Sequence, residues 1–243
     1  MPMCARGRPQ GSALIDLSIT RDDLIEAGVP PEFVSRETLG RLAIYAEDLV
    51  KWQRQINLVS DSTLPTIWSR HFVDSAQLAP HAGRADNWLD LGSGAGFPGL
   101  VIAILLSEKP NFSMTLVESN GKKCAFLRNV AHRTGVGVRV VQKRLESLDY
   151  ADIGPVDIVS ARALATVDGL LAFGEPWLSR GAKGLFLKGA GLNDELEIAR
   201  KRWKYVARRE SSATDPEGSI LVVEGLQRRD VKSDDDRADI PNV

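Results

Sequence analysis

Cysteine is nearly missing: Cys4 and Cys124 are the only two in 243 residues. That is too few for a disulfide framework or a thiolate zinc cluster, and a cytoplasmic pair stays reduced. Histidine is almost as scarce. His71, His81 and His132 lack the spacing of metal ligands, so no metal centre is expected. No run of eighteen apolar residues occurs, and the opening MPMCARGRPQGS has no apolar segment of the secretory kind. A cytoplasmic protein with no membrane partner is the expectation. An excess of one charge is also absent: 31 Lys and Arg face 32 Asp and Glu, a net charge of −1. Any contact with nucleic acid would therefore be local. The densest basic cluster, Arg200 to Arg209, holds six basic residues in ten around Trp203 and Tyr205. It reads equally as a solvated face beside a core tryptophan.

What is present is periodic, and 43% hydrophobic residues over this length suffice for one large core. Residues 1–19 show no period and read as a disordered leader, and Thr20-Arg-Asp-Asp23 resembles a helix start. Residues 20–226 read as one domain. Within it 20–80 is helical: Leu39, Leu42, Ala43, Ala46, Leu49 and Val50 give one buried face to a helix from Ser35 to Asn57, and a second helix is expected over Ile67 to Leu78. From Asn87 the pattern changes. Strands are expected at Trp88–Leu91, Met114–Glu118, Val138–Val141, Val156–Ser160 and Gly184–Leu187. Helices intervene: one carries Pro98 in its first turn, and others run near Lys122–Arg133 and Val167–Trp177. Such alternation builds an α/β fold with a mostly parallel, helix-flanked sheet. Ser219–Val223 reads as a last, antiparallel strand, and the charged stretch 227–243 as a disordered tail.

The most informative segment is Asp90-Leu-Gly-Ser-Gly-Ala-Gly-Phe-Pro-Gly99, at the carboxyl end of the first expected strand, where ligands of such sheets bind. Gly92, Gly94 and Gly96 permit a tight turn and close approach of a cofactor. Which cofactor stays open at this point. Gly94 to Gly99 fits the dinucleotide fingerprint G-x-G-x-x-G, and Glu118, 19 residues past Gly99, suits the ribose of either a dinucleotide or S-adenosylmethionine (SAM). Asp90 would repel a pyrophosphate and suits a cofactor bearing an amine and a sulfonium. The D-x-G-x-G-x-G pattern it opens resembles the first motif of class I SAM-dependent methyltransferases.

Further segments extend the likeness: Asn57-Leu-Val-Ser60, Arg70-His-Phe-Val-Asp-Ser75, Val117-Glu-Ser-Asn-Gly-Lys-Lys123, Ser160-Ala-Arg-Ala163 and Leu187-Lys-Gly189. Together they resemble the bacterial 16S ribosomal RNA guanine-N7 methyltransferases, also called glucose-inhibited division protein B, over about Leu39 to Val223. The resemblance implies a Rossmann-like class I fold with seven strands and an N-terminal helical extension. It also implies a monomer that methylates N7 of the guanine conventionally numbered 527, in 16S RNA or an assembling 30S particle. On this likeness Gly92 and Phe97 line the SAM loop, Leu145 and Glu146 meet the adenine, and Arg162 closes the site. Phe97 stands where leucine is common, and Arg162 follows Val-Ser-Ala, one residue looser than the family's Ser-Arg. Guanine N7 has a free lone pair, so no catalytic base is expected and positioning carries the reaction. Arg70, His71, Lys122, Arg144, Arg162 and Lys188 are candidate RNA contacts around the cleft, although His71 with Asp74 reads equally as a structural pair. Phe97 and Trp177 are candidates to stack on the base. Cys124 reads as a structural thiol. The alternatives are a SAM methyltransferase of another substrate, an NAD-dependent oxidoreductase, and an RNA-binding module without chemistry.

Overall fold

A computed structural model describes residues 19–229; all but the last residue of the expected leader (1–19) and most of the expected tail (227–243) lie outside them. The first helix, α1 (Arg21–Glu26), starts where the sequence signal placed it: Thr20 and Asp23 exchange hydrogen bonds in a capping box. Helix α2 (Arg36–Gln53) is capped by Ser35 and turns Leu42, Tyr45, Ala46 and Leu49 inward. It stops four residues short of Asn57 because the Gln53 side chain folds back, accepting from the Leu58 and Val59 amides and donating to the Val59 carbonyl. The helix expected over Ile67–Leu78 is two pieces. A π-helical turn (Trp68–Val73) runs into α3 (Asp74–Ala76), and the Asp74 amide reaches the Ser69 carbonyl. That wider turn releases the Arg70 carbonyl for another donor.

The alternating region follows. It comprises β1 (Asn87–Leu91), α4 (Gly99–Leu105), β2 (Ser113–Glu118), α5 (Gly121–Thr134), β3 (Arg139–Gln142), α6 (Tyr150–Ile153) and β4 (Ile158–Arg162). It ends with α7 (Val167–Leu178), β5 (Lys183–Lys188), α8 (Leu192–Arg202), β6 (Trp203–Ser211) and β7 (Ser219–Arg228). The sheet order is β3-β2-β1-β4-β5-β7-β6, with β7 antiparallel to both its neighbours and the other strands parallel to one another. Helices α2, α4 and α5 cover one face through Leu42, Tyr45, Leu100 and Phe126, and α7 and α8 cover the other through Leu170, Trp177 and Leu196. Among the described residues no helix is long and apolar enough to cross a membrane.

Several boundaries differ from the sequence reading. Pro98 caps α4 from outside instead of lying in its first turn. Strand β4 begins two residues later than expected because the Asp157 carboxylate accepts from the Asp86 and Asn87 amides before the strand starts, so Arg162 is its last residue. Gln227 and Arg228 belong to β7 and not to a tail. Helix α8 and strand β6 were not expected from sequence, the last turn of α8 and most of β6 lying in the basic stretch. Yet α8 buries Leu192, Leu196 and Ala199 at helical spacing, and in β6 inward Trp203, Tyr205 and Ala207 alternate with exposed Lys204, Val206 and Arg208.

The chain leaves β1 for β2 on one side and returns to β4 on the other, so the order reverses between β1 and β4 and opens a crevice at their carboxyl ends. Helix α4 must lie very close to β1 there. A Cβ on Gly99 would stand 2.4 Å from Leu116 Cδ2 and 2.7 Å from Asp90 Oδ2. Gly99→Ala is therefore expected to destabilise the fold by about 1–3 kcal/mol, measured by urea unfolding; an unchanged midpoint would show that this contact relaxes freely.

Candidate active site

The loop after β1 turns through three left-handed glycines, Gly92 (φ 63°), Gly94 (φ 56°) and Gly96 (φ 97°), a conformation that side chains resist. It is tied to β2 by the Ser93 amide, which donates to the Val117 carbonyl at 2.9 Å. Glu118 completes the tie. One of its oxygens accepts from the Gly94 amide at 2.9 Å and the other from the Asn120 amide at 2.7 Å, so a single carboxylate fixes the glycine loop and the start of α5. Each oxygen keeps a further lone pair. Above this loop lies a cavity of about 490 Å³ walled by Gly92, Gly94, Phe97, Glu118, Leu145, Glu146 and Arg162, with Lys123 and Arg144 also on its wall.

Not every residue singled out from sequence reaches that wall. Asp90, expected to face a cationic cofactor, has no exposed surface. It lies beneath the loop, where Oδ1 accepts from Ser160 Oγ at 2.7 Å. The Trp88 indole donates in turn to Ser160 at 2.9 Å, and Asp90 Oδ2 has no partner. Gly96 is also internal; its missing Cβ would stand 2.6 Å from the Tyr45 hydroxyl, which itself donates to the Ala95 carbonyl. Lys122 is exposed at the start of α5 and lines neither cavity described here. Trp177 cannot stack on a base, since it is buried and its indole donates to the Gly154 carbonyl at 3.0 Å. The Cys124 thiol is buried and donates to the Glu118 carbonyl, as a structural cysteine would.

Arg162 gathers the site. Its Nη1 donates to the Arg70 carbonyl at 2.8 Å and to Asp74 Oδ2 at 3.2 Å, its Nη2 to His71 Nδ1 at 2.8 Å, and its guanidinium sits 4.9 Å from the centre of the Phe97 ring. The Phe97 ring stacks with Tyr45 at 5.3 Å and with His71 at 5.0 Å. Because arginine only donates, His71 Nδ1 must accept. Its Nε2–H then donates to Thr63 Oγ1 at 2.8 Å, and that hydroxyl donates to the Ser60 carbonyl at 2.7 Å. Burial and the adjacent Arg162 and Arg70 push the His71 pKa down to about 3. His71 is thus a neutral acceptor for Arg162, linked to Asp74 through that guanidinium and not directly, which favours a structural role over a phosphate contact.

Arg162 and Ala163 also wall a second cavity, of about 310 Å³, with Arg70, Lys188, Asp215 and Gly218. Ala163 holds a left-handed φ of 51°, a strain common at binding sites that nothing in the sequence announced. The β6–β7 loop forms the outer wall, pinned to α3 by the Ala213 amide on Gln77 and by Thr214 Oγ1 on Asp74, both at 2.9 Å. Lys188 is not a free cation here: its ammonium is 2.7 Å from Glu195 and donates to the Ala165 carbonyl. The basic segment is divided. Arg208 and Arg209 approach the carboxyl edge, whereas Arg200, Lys201 and Lys204 stand at the opposite end of β6.

Comparison with known proteins adds a separate line. The family model described as GidB, rRNA small subunit methyltransferase G, matches residues 38–219. Ribosomal RNA small subunit methyltransferase G of Parvibaculum lavamentivorans is 52% identical over 201 residues, covering 81% of this chain and 87% of its own length. The protein of the same name from Paramagnetospirillum magneticum is 50% identical over 196 residues, covering 80% and 92%. Among solved structures, an O-methyltransferase from Bacillus cereus in complex with SAH superposes with a TM-score of 0.51 at 16% identity, over 74% of this chain and 90% of that one. A likeness at that identity concerns the fold alone.

Two of the perturbed groups at this edge, Asp90 and His71, have opposite effects on stability. Burial raises the Asp90 pKa from 3.8 to about 6, against the hydrogen bond from Ser160; the native state therefore holds the extra proton, and this contribution is lost as pH rises through 6. His71 falls from 6.5 to about 3; the unfolded chain holds the extra proton, and its contribution is lost as pH falls from 6.5 toward 3. Asp90→Asn should therefore gain stability relative to wild type as pH rises from about 4 to 6.5. His71→Gln should gain as pH falls across the same window. Changes on the order of 1–3 kcal/mol are expected, read by urea unfolding at stepped pH. Parallel pH profiles for wild type and variants would refute both assignments.

Proposed function

The chain belongs to the GidB family, rRNA small subunit methyltransferase G, and on that premise we propose that it transfers a methyl group from SAM to N7 of the guanine conventionally numbered 527 in 16S ribosomal RNA. The observation that carries this reading is the pair of adjoining cavities at the switch point, one over the glycine loop and one beside it, sharing only Arg162 and Ala163 as wall. The oxidoreductase and chemistry-free readings are set aside with the family membership.

The residues fit SAM. Gly94 has no side-chain atom within 4 Å of where its Cβ would stand, leaving a cradle for the cofactor's backbone-like end. Glu118 offers spare lone pairs to a ribose diol, and Leu145 and Glu146 stand on the wall where an adenine would lie. When bound, SAM supplies a sulfonium methyl, which a nitrogen lone pair takes as the C–S electron pair returns to sulfur. N7 needs no deprotonation, so the protein's task is to orient the base and exclude water. Phe97 and the clamped Arg162 hold the wall between the cavities in one geometry. Arg70 and Arg144 offer charge to RNA phosphates at the two rims. A ribosomal substrate favours work in the cytoplasm, where ribosomal subunits assemble, and we read the protein as a monomer.

The test is incubation with methyl-labelled SAM and 30S subunits from cells lacking this modification, followed by mapping of N7-methylguanine. Label at that guanine is expected, and Arg162→Ala is expected to lower kcat/KM about 100-fold by loosening the shared wall. SAM binding without labelled RNA would remove the ribosomal assignment; absence of SAM binding would remove the cofactor as well.

A further inference from the structure

The mouth of the second cavity is spanned by an ion pair between segments 145 residues apart. Arg70 Nη1 donates to Asp215 Oδ2 at 2.8 Å, while Asp215 Oδ1 accepts from the Glu217 amide at 3.0 Å. Arg70 and that amide hold the Asp215 carboxyl below the usual range, so it is an anion at neutral pH. The pair is not a buried strut. Its side chains are 51% and 33% exposed, and such pairs contribute roughly 0–1 kcal/mol, so exchanging either partner costs little. The other cations on this wall are committed elsewhere: Arg162 to His71, Asp74 and the Arg70 carbonyl, and Lys188 to Glu195.

What Asp215 accepts from Arg70 has a chemical twin. A guanidinium presents N–H bonds from an N–C–N unit, and guanine presents the same unit at its Watson–Crick edge, N1–H and the N2 amino group. Asp215 meets Arg70 through one oxygen, and because each carboxylate oxygen keeps a further lone pair the same group can take both guanine donors. Adenine cannot replace it, because its N1 is an acceptor. N7 lies on the purine edge opposite N1–H and N2–H. A base held at the outer wall by Asp215 therefore directs N7 toward Arg162 and Ala163, the wall shared with the glycine-loop cavity. There the Arg162 guanidinium is held by its own partners and Ala163 presents a methyl, on a backbone held at φ 51°.

We propose that Asp215 reads the Watson–Crick edge of the target guanine, and that Arg70 occupies this carboxylate in the free protein and passes to an RNA phosphate when the base enters. The proposal rests on the guanine-N7 reading and names the residue that selects the base. The developing positive charge of an N7-methylated purine also favours an anion at its opposite edge, so Asp215 contributes to turnover as well as to binding.

The test compares ribosomal RNA substrates carrying guanine or hypoxanthine at the target position. Hypoxanthine keeps N7 and N1–H and lacks the N2 amino group. Wild type is expected to favour guanine in kcat/KM by about tenfold or more, the worth of one hydrogen bond to a charged group. Asp215→Ala should bring that ratio close to one. Arg70→Ala should keep the ratio while raising KM for RNA, as expected of a phosphate contact. A ratio that survives in Asp215→Ala, or wild type without preference, overturns the proposal. Failure of wild type to label even the guanine substrate overturns the methyltransferase reading itself, so the two failures are told apart.

Discussion

A guanidinium at the end of a strand has five donors to place, and Arg162 places three of them on the helical segment before β1: the Arg70 carbonyl, His71 Nδ1 and Asp74. This binds the N-terminal helical layer to the carboxyl edge of the sheet, and each partner exists in usable form because of something else. The Arg70 carbonyl is free because the turn is π-helical. His71 accepts because burial keeps it neutral. Phe97 lies beneath the cation and stacks with both Tyr45 and His71. Without that charge the wall between the two cavities would lose its definition.

Two carboxylates at the same edge show how environment divides labour. Glu118 reaches the cavity with both oxygens already accepting backbone amides, so it orders the loop and still faces the site. Asp90 is sealed beneath the loop, shares a hydroxyl with Trp88 and bears the desolvation cost of burial. The residue that looked from sequence like a counter-charge for a cofactor is a support for the turn. The distinction rests on a few ångströms of depth.

Charge near the cleft is arranged with similar economy. Lys188 and His71, both at the right place for RNA, are neutralised by a neighbouring acid or by desolvation. Arg70 alone on the second cavity's wall faces an exposed carboxylate. A net charge near zero and a divided basic segment fit a protein that meets nucleic acid at a small, shaped opening and not along a broad electropositive face.

Local signals were enough for much of this. The capping box at Thr20, the apolar stripe of α2, the βα alternation from Asn87 and the glycines behind β1 are short-range patterns, and the elements formed where those patterns lay. The glycine loop, Glu118 and the segment at Leu145 could be picked out for the same reason: each lies at or shortly after a strand end. Strand β6 and helix α8 were masked because charged residues of both signs fill most of their outward positions, while their inward residues keep the correct period. Ala163 entered only as the end of a motif, with no sign of its backbone angle, and Asp215 gave no sequence signal. One matters through a backbone angle, the other through a partner 145 residues away. Depth and pairing are properties of the packed chain, so only the tertiary structure could bury Asp90, neutralise His71 and Lys188, and set Asp215 opposite Arg70. The sequence by itself determined which elements form and where a cofactor loop lies, because those depend on neighbours a few positions apart.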